Sequence, residues 1–177
     1  MSYRIHRESD EGIILVKRAI LHSDVVIVVL TPHFGKIALL AKGIQKITSK
    51  RISALQTGNI VRVIFSTKHT GMHYLSSVEL ISHLSSIKKD LLKMHHLYIL
   101  LYVFDRLIPE GQSDTNTYLL CKRIIVRLAN EQAATFSIST ALSEILVLLG
   151  YGECKSYEEC VSTVENIMGK KLPVGVI

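Results

Sequence analysis

The sequence predicts an α+β multidomain chain: an N-terminal five-stranded β-barrel followed by an all-α helical domain. Three observations carry that expectation. Residues 11–80 read as β-branched or alternating runs separated by turn residues, whereas residues 90–169 read as apolar stripes of helical period. Charge divides at the same place: residues 1–80 hold eleven Lys/Arg against five Asp/Glu, and residues 81–177 hold ten of each. The predicted order is three strands, a short helical connection, two strands, and then helices alone. The boundary falls between residues 80 and 88 and is placed after 82, giving domains 1–82 and 83–177. No Gly/Ser/Pro-rich linker marks it, so the two domains are expected to pack tightly.

Each element has a local reason. Residues 11–20 (EGIILVKRAI) are rich in β-branched side chains, and residues 24–31 (DVVIVVLT) are apolar without a break, so both faces of that strand should be covered. The helical half is the natural cover for the outer one. The turn Thr31-Pro32-His33-Phe34-Gly35 makes the second and third strands a hairpin, with Pro presetting φ and Gly free to take φ > 0. In residues 35–43, period-2 geometry puts Lys36, Ala38, Leu40 and Lys42 on one side and Ile37, Leu39 and Ala41 on the other. Residues 49–56 can form one or two helical turns that end at Gly58. Residues 59–68 place Arg62 and Lys68 on one face and Val61, Val63 and Phe65 on the other, and a fifth strand covers 72–80. This is the layout of an OB-type barrel, a fold that commonly binds oligonucleotides. Beyond it, helices are expected over 90–108, stopped by Pro109-Glu110-Gly111, over 116–130, and over 136–149, closed by Gly150. The capping box Ser156-Tyr157-Glu158-Glu159 opens a last helix that Gly169 closes.

With 177 residues and 48% hydrophobic side chains there is enough apolar surface for a core. The N-terminus has no apolar leader, and the longest unbroken apolar run, residues 97–104, is far short of a membrane span, so a cytoplasmic protein without membrane contact is expected. Three cysteines without CxxC spacing give neither a disulfide framework nor a zinc site. His95 and His96 are adjacent, and on a helix they point about 100° apart, unable to share a metal as an i, i+4 pair would. The sequence has no GxxxxGK[ST], GxGxxG, GxSxG or HExxH. No enzyme, cofactor or metal is expected.

The +6 net charge is concentrated where it can act. Residues 31–68 carry Lys36, Lys42, Lys46, Lys50, Arg51, Arg62 and Lys68 without one Asp or Glu, and the acid-free window runs from residue 25 to 78. Cations along strands and their connections neutralise phosphates with little sequence information, so these seven are the candidate nucleic-acid contacts. If five to seven engage a duplex, the log–log salt slope is about −4 to −6. Phe34, at the turn tip, is the candidate for base stacking, with a ring folded back on the barrel as the alternative.

At these residues the chain resembles the RecO family, bacterial recombination mediators of DNA repair. The likeness lies in Glu11-Gly12-Ile13-Ile14-Leu15, Ser23-Asp24, Thr31 with Gly35-Lys36, Ala41-Lys42-Gly43 with Lys46 and Ser49, and Leu55-Gln56 with Gly58-Asn59. In the helical half it continues through Tyr98, Leu107-Ile108-Pro109-Glu110-Gly111 and Leu148-Leu149-Gly150-Tyr151, covering about residues 11–163. The resemblance implies an OB domain and a helical domain that bind single- and double-stranded DNA and anneal complementary strands. It further implies cooperation with RecR in loading RecA onto DNA coated by single-stranded-DNA-binding protein (SSB), contact with that protein's acidic C-terminal tail, and association with the nucleoid. It transfers DNA contact to Lys36, Lys42 and Lys46 and, less directly, to Lys50, Arg51 and Arg62. Many family members carry a zinc module that begins with CxxC after the Leu-Gly-Tyr segment; here Cys160-Val161-Ser162-Thr163 stands in that place. The other readings that the residues leave open are a generic RNA-binding OB module and an adaptor for an acidic peptide tail.

Overall fold

A computed structural model describes residues 7–20, 24–43, 51–68 and 71–173 of the chain, with the side chains of Arg51 and Ile52 outside that description. Two compact units form: Met1–His83 with Glu110–Tyr118, and Leu84–Pro109 with Leu119–Ile177.

The first unit is a closed five-stranded barrel. Strands β1 (Arg7–Ala19), β2 (Val25–Thr31), β3 (Gly35–Ala41), β4 (Ile60–Thr67) and β5 (His73–Ser82) close in the order β1-β2-β3-β5-β4, with the single turn α1 (Arg51–Ala54) between β3 and β4. All neighbours are antiparallel except β3 and β5, whose parallel pairing is limited to Leu39↔His73 and Leu40↔Tyr74. Alternation fills the interior as expected: Ile37, Leu39 and Ala41 of β3 meet Val61, Val63 and Phe65 of β4 in one core cluster. In β2, Val28 and Leu30 are buried on the opposite face from Val25, Ile27 and Val29.

Three register shifts among the described strands adjust the barrel, one of them between Ile60 and Val61 in the β4–β5 ladder. Between Ile14 and Val16 the register against β2 shifts, so the consecutive Ile13, Ile14 and Leu15 are all buried. A shift between Ile64 and Phe65 in the β4–β5 ladder lets both Leu75 and Val78 turn inward despite their odd separation. β1 also begins at Arg7, so the charged lead-in is itself strand, paired from Arg7↔Ser66 to Asp10↔Val63 on β4. Asp10 is buried there because it ties β1 to the β2–β3 turn, accepting hydrogen bonds from the backbone N–H of Glu11 (2.9 Å) and of His33 (3.1 Å).

The strap formed by Glu110–Tyr118 belongs to the barrel, although residues 84–109 separate it in sequence. Glu110 makes a parallel bridge with Lys36, and the Gly111 N–H donates to the Lys36 carbonyl at 3.0 Å. The Thr115 hydroxyl donates to the Pro32 carbonyl at 3.3 Å, and the Tyr118 hydroxyl donates to the Glu11 carboxylate. Gly35 is required at this junction twice over. Its φ is +68°, and a Cβ there would lie 2.2 Å from the Gln112 carbonyl oxygen.

The second unit is helical: α2 (Ser85–Lys88), α3 (Leu91–Leu107), α4 (Thr115–Asn130), α5 (Ile138–Leu148) and α6 (Tyr157–Met168), the first turn of α4 falling in the strap. The short α2 lay outside the sequence expectation. Asp90 caps α3 by accepting from the N–H groups of Leu92 and Lys93. Pro109 forces Ile108 into an extended conformation with ψ 122°, which ends that helix. One half of the predicted capping box is present, Ser156 accepting from the Glu159 N–H, while the Glu159 carboxylate reaches back one residue further, to the Lys155 N–H at 2.8 Å. Among the described residues no helix is long and apolar enough to cross a membrane.

Candidate nucleic-acid interface

Backbone alternation decides which cations leave the barrel. On β3 the outward row is Lys36, Ala38 and Leu40, and Lys42 follows the strand end directly. On β4 the outward row passes through Arg62 and leads to Lys68 just beyond Thr67. Because Leu40 stands beside Tyr74 in register, and the β4–β5 ladder sets Ser66 against Tyr74, the two cationic ends converge on that ring. The Lys68 ammonium lies 4.4 Å from the Tyr74 ring centroid and the Lys42 ammonium 5.4 Å, so the two charges are no more than 9.8 Å apart. At exposed sites each such contact stabilises by about 0.5–1 kcal/mol, enough to gather two like charges over one aromatic without fixing them there. His73 next to it accepts or donates with the Thr67 hydroxyl at 2.8 Å and sets its ring edge-on to Phe65 at 5.4 Å.

The other expected contacts fall elsewhere. Lys36 points outward, as alternation requires, yet it is 5% exposed. The strap explains this: Glu110 and Gly111 run alongside that end of β3, and Lys36 therefore does not share an open face with Lys42. Phe34 is half-buried and folded back on the barrel. Its ring meets Phe65 edge-to-face at 5.1 Å and packs on the barrel core, the alternative that a turn aromatic always offers. Arg62 is exposed but flanked in register by Glu11 of β1 and Glu79 of β5, with the Glu79 carboxylate 3.6 Å away. Lys46, Lys50 and the Arg51 side chain lie outside the described residues.

Tyr74 is the residue that the charge count passes over, since it carries no charge. The signal for it was the strand pattern itself: in residues 72–75 the inward Leu75 leaves Tyr74 facing out. Beside it, between β3, the turn before β5 and the strap, opens a groove of about 480 Å³ lined by Lys36, Ile37, Ala38, Met72, His73 and Glu110, among others. In the helical unit a second cavity of about 530 Å³ is lined in part by Arg123 and Glu144, which lie 3.6 Å apart; Glu144 also accepts from Arg127 at 2.8 Å. Its charges are thus largely compensated within the unit. Among the described residues no three His, Cys, Asp or Glu side chains gather as metal ligands.

Comparison with known proteins agrees with the barrel. The family model described as "Recombination protein O N terminal" matches residues 3–84. The protein named DNA repair protein RecO of Caldanaerobacter subterraneus subsp. tengcongensis is 27% identical over 144 residues, 80% of this chain and 57% of that protein. Its namesake in Symbiobacterium thermophilum is 29% identical over 111 residues, 62% and 43% of the two chains. That of Prosthecochloris aestuarii is 23% identical over 159 residues, 89% and 60%. The chain thus spans about half the length of these curated relatives.

Proposed function

We propose that the chain is a RecO-family protein whose barrel corresponds to that family's N-terminal domain, that it binds DNA through the Lys42–Tyr74–Lys68 surface, and that it acts in DNA repair by recombination. The observation that carries this reading is the convergence of two strand ends, each bearing an uncompensated-looking cation in sequence, on one outward aromatic ring. Lys46, Lys50 and Arg51 complete the proposed contact set on the connection between β3 and β4. Neutralising phosphates on two strands at once lowers their mutual repulsion, a route to annealing that needs neither ATP nor metal. The role proposed is therefore non-enzymatic: binding single- and double-stranded DNA, annealing complementary strands and, with RecR, assisting RecA loading onto DNA coated by SSB. The acidic tail of SSB is a proposed partner on the grounds of that proposed family membership.

The test is strand annealing and direct binding by wild type and a Lys42→Glu/Lys68→Glu variant. Loss of both at physiological salt is expected, and annealing that survives in the variant overturns the assignment. Competition with RNA separates the neighbouring reading: RNA that competes as well as or better than DNA would sink the repair assignment in favour of an RNA-binding module.

A further inference from the structure

The seam between β3 and β5 holds more than the two lysines. Its parallel ladder is two residue pairs long, and the next ladder contact on that side of β3 is Lys36 with Glu110. Between them, at Ile37 and Ala38, the barrel wall opens into the groove of about 480 Å³. Extending the Leu39↔His73 register by one residue sets Ala38 beside Met72, and both are exposed. The outer seam therefore reads Ala38 with Met72, then Leu40 with Tyr74, then Lys42, a track of roughly 13 Å at about 3.3 Å per residue.

We propose that this seam is a subsite for two consecutive unpaired nucleotides. One base stacks on Tyr74, the next enters the groove against Ala38 and Met72, and Lys42 and Lys68 receive the phosphates. The proposal rests on the DNA-binding reading above and adds a requirement that the strand be unpaired. Stacking on a side chain needs a free base face, which a duplex withholds and a single strand offers. The lining sets the orientation. At the groove end remote from Lys42, Lys36 and Glu110 stand side by side and together offer phosphate no net charge, while the exposed, apolar Ala38 and Met72 suit the faces of a base. The groove also has the volume usual for small-ligand sites. In the free protein the two ammonium groups occupy the ring. When a base takes the ring, its phosphates take the ammonium groups, so no cation loses a partner in the exchange. Because every base has a π-face, the subsite tolerates any sequence.

The test compares fluorescence anisotropy titrations of labelled oligothymidylate and of a blunt duplex of equal length, at one fixed salt concentration. Tyr74→Ala is expected to lower the ratio of single-strand to duplex affinity by roughly 5- to 150-fold, and Tyr74→Phe to preserve it. Ala38→Phe adds a ring at an exposed position outside the barrel core, fills the groove, and is expected to lower the same ratio. A ratio unchanged in both Tyr74→Ala and Ala38→Phe overturns the subsite and leaves DNA binding standing. Wild type that binds neither nucleic acid overturns the reading beneath it as well.

Discussion

His96 of α3 sets its ring 5.7 Å from that of Phe136, with its Nδ1 buried and lacking a hydrogen-bond partner. Burial foremost, and then the neighbouring charge of His95, hold its pKa below the ordinary 6.5, with Asp90 opposing. The unfolded chain therefore binds a proton at this residue more readily than the folded one. Stability rises with pH wherever that holds, so this residue's contribution is full above 6.5 and declines as pH falls through that value toward the depressed one. His96→Leu is expected to flatten the acid side of a melting-temperature profile between pH 7.5 and 5.5; a parallel profile in the variant refutes the assignment. The candidate site was legible at this scale only in part. Linear charge singled out Lys42 and Lys68, which meet over Tyr74, but it placed Arg62 in an acid-free window although Glu11 and Glu79 are its cross-strand neighbours. A window along the chain cannot see a register. Phe34 and Tyr74 were equally visible as aromatics, and only the packing of Phe34 on Phe65 separates them.

Among the elements, the strands and long helices were legible because their periodicity is imposed by burial that the whole sequence supports. β3 and β4 show this in Ile37, Leu39, Ala41 against Val61, Val63, Phe65. What was not legible depends on long-range backbone contact. The Arg7–Asp10 segment of β1 is polar and joins the sheet through main-chain pairing to β4, which leaves no apolar alternation to read. The strap is a second case: Pro109-Glu110-Gly111 announced a helix stop, and nothing local told that Gly111 would donate to Lys36. Gly35→Ala tests that junction. The positive φ alone costs about 1–2 kcal/mol, and the added Cβ must displace the Gln112 backbone. The expectation is a fall in the urea midpoint together with faster amide hydrogen exchange at Gly111. Unchanged Gly111 protection in the variant would show that the strap accommodates a side chain there.

For the whole molecule the charge asymmetry gains a number. Of the seven cations counted in residues 31–68, Lys36 is covered and Arg62 is answered by Glu79, which leaves Lys42 and Lys68, with Lys46, Lys50 and Arg51 from outside the described side chains, as the proposed set of phosphate contacts. At about 0.7 per phosphate on single strands, five contacts give a log–log salt slope of about −3.5, against about −5 for seven. A Lys42→Ala/Lys68→Ala variant should lower the magnitude of that slope by about 1.4, measured by titration between 50 and 200 mM salt. A slope unaltered by the double variant would place the phosphate contacts elsewhere. The strap carries a consequence in time. The stretch matched by the family domain ends at residue 84, but the last residue of its barrel unit is Tyr118. On the ribosome, at about 5–20 residues per second, the barrel strands emerge roughly 2–7 s before the segment that finishes them. During that interval the Lys36 end of β3 is uncovered, so the nascent barrel is more cationic on its surface than the finished one.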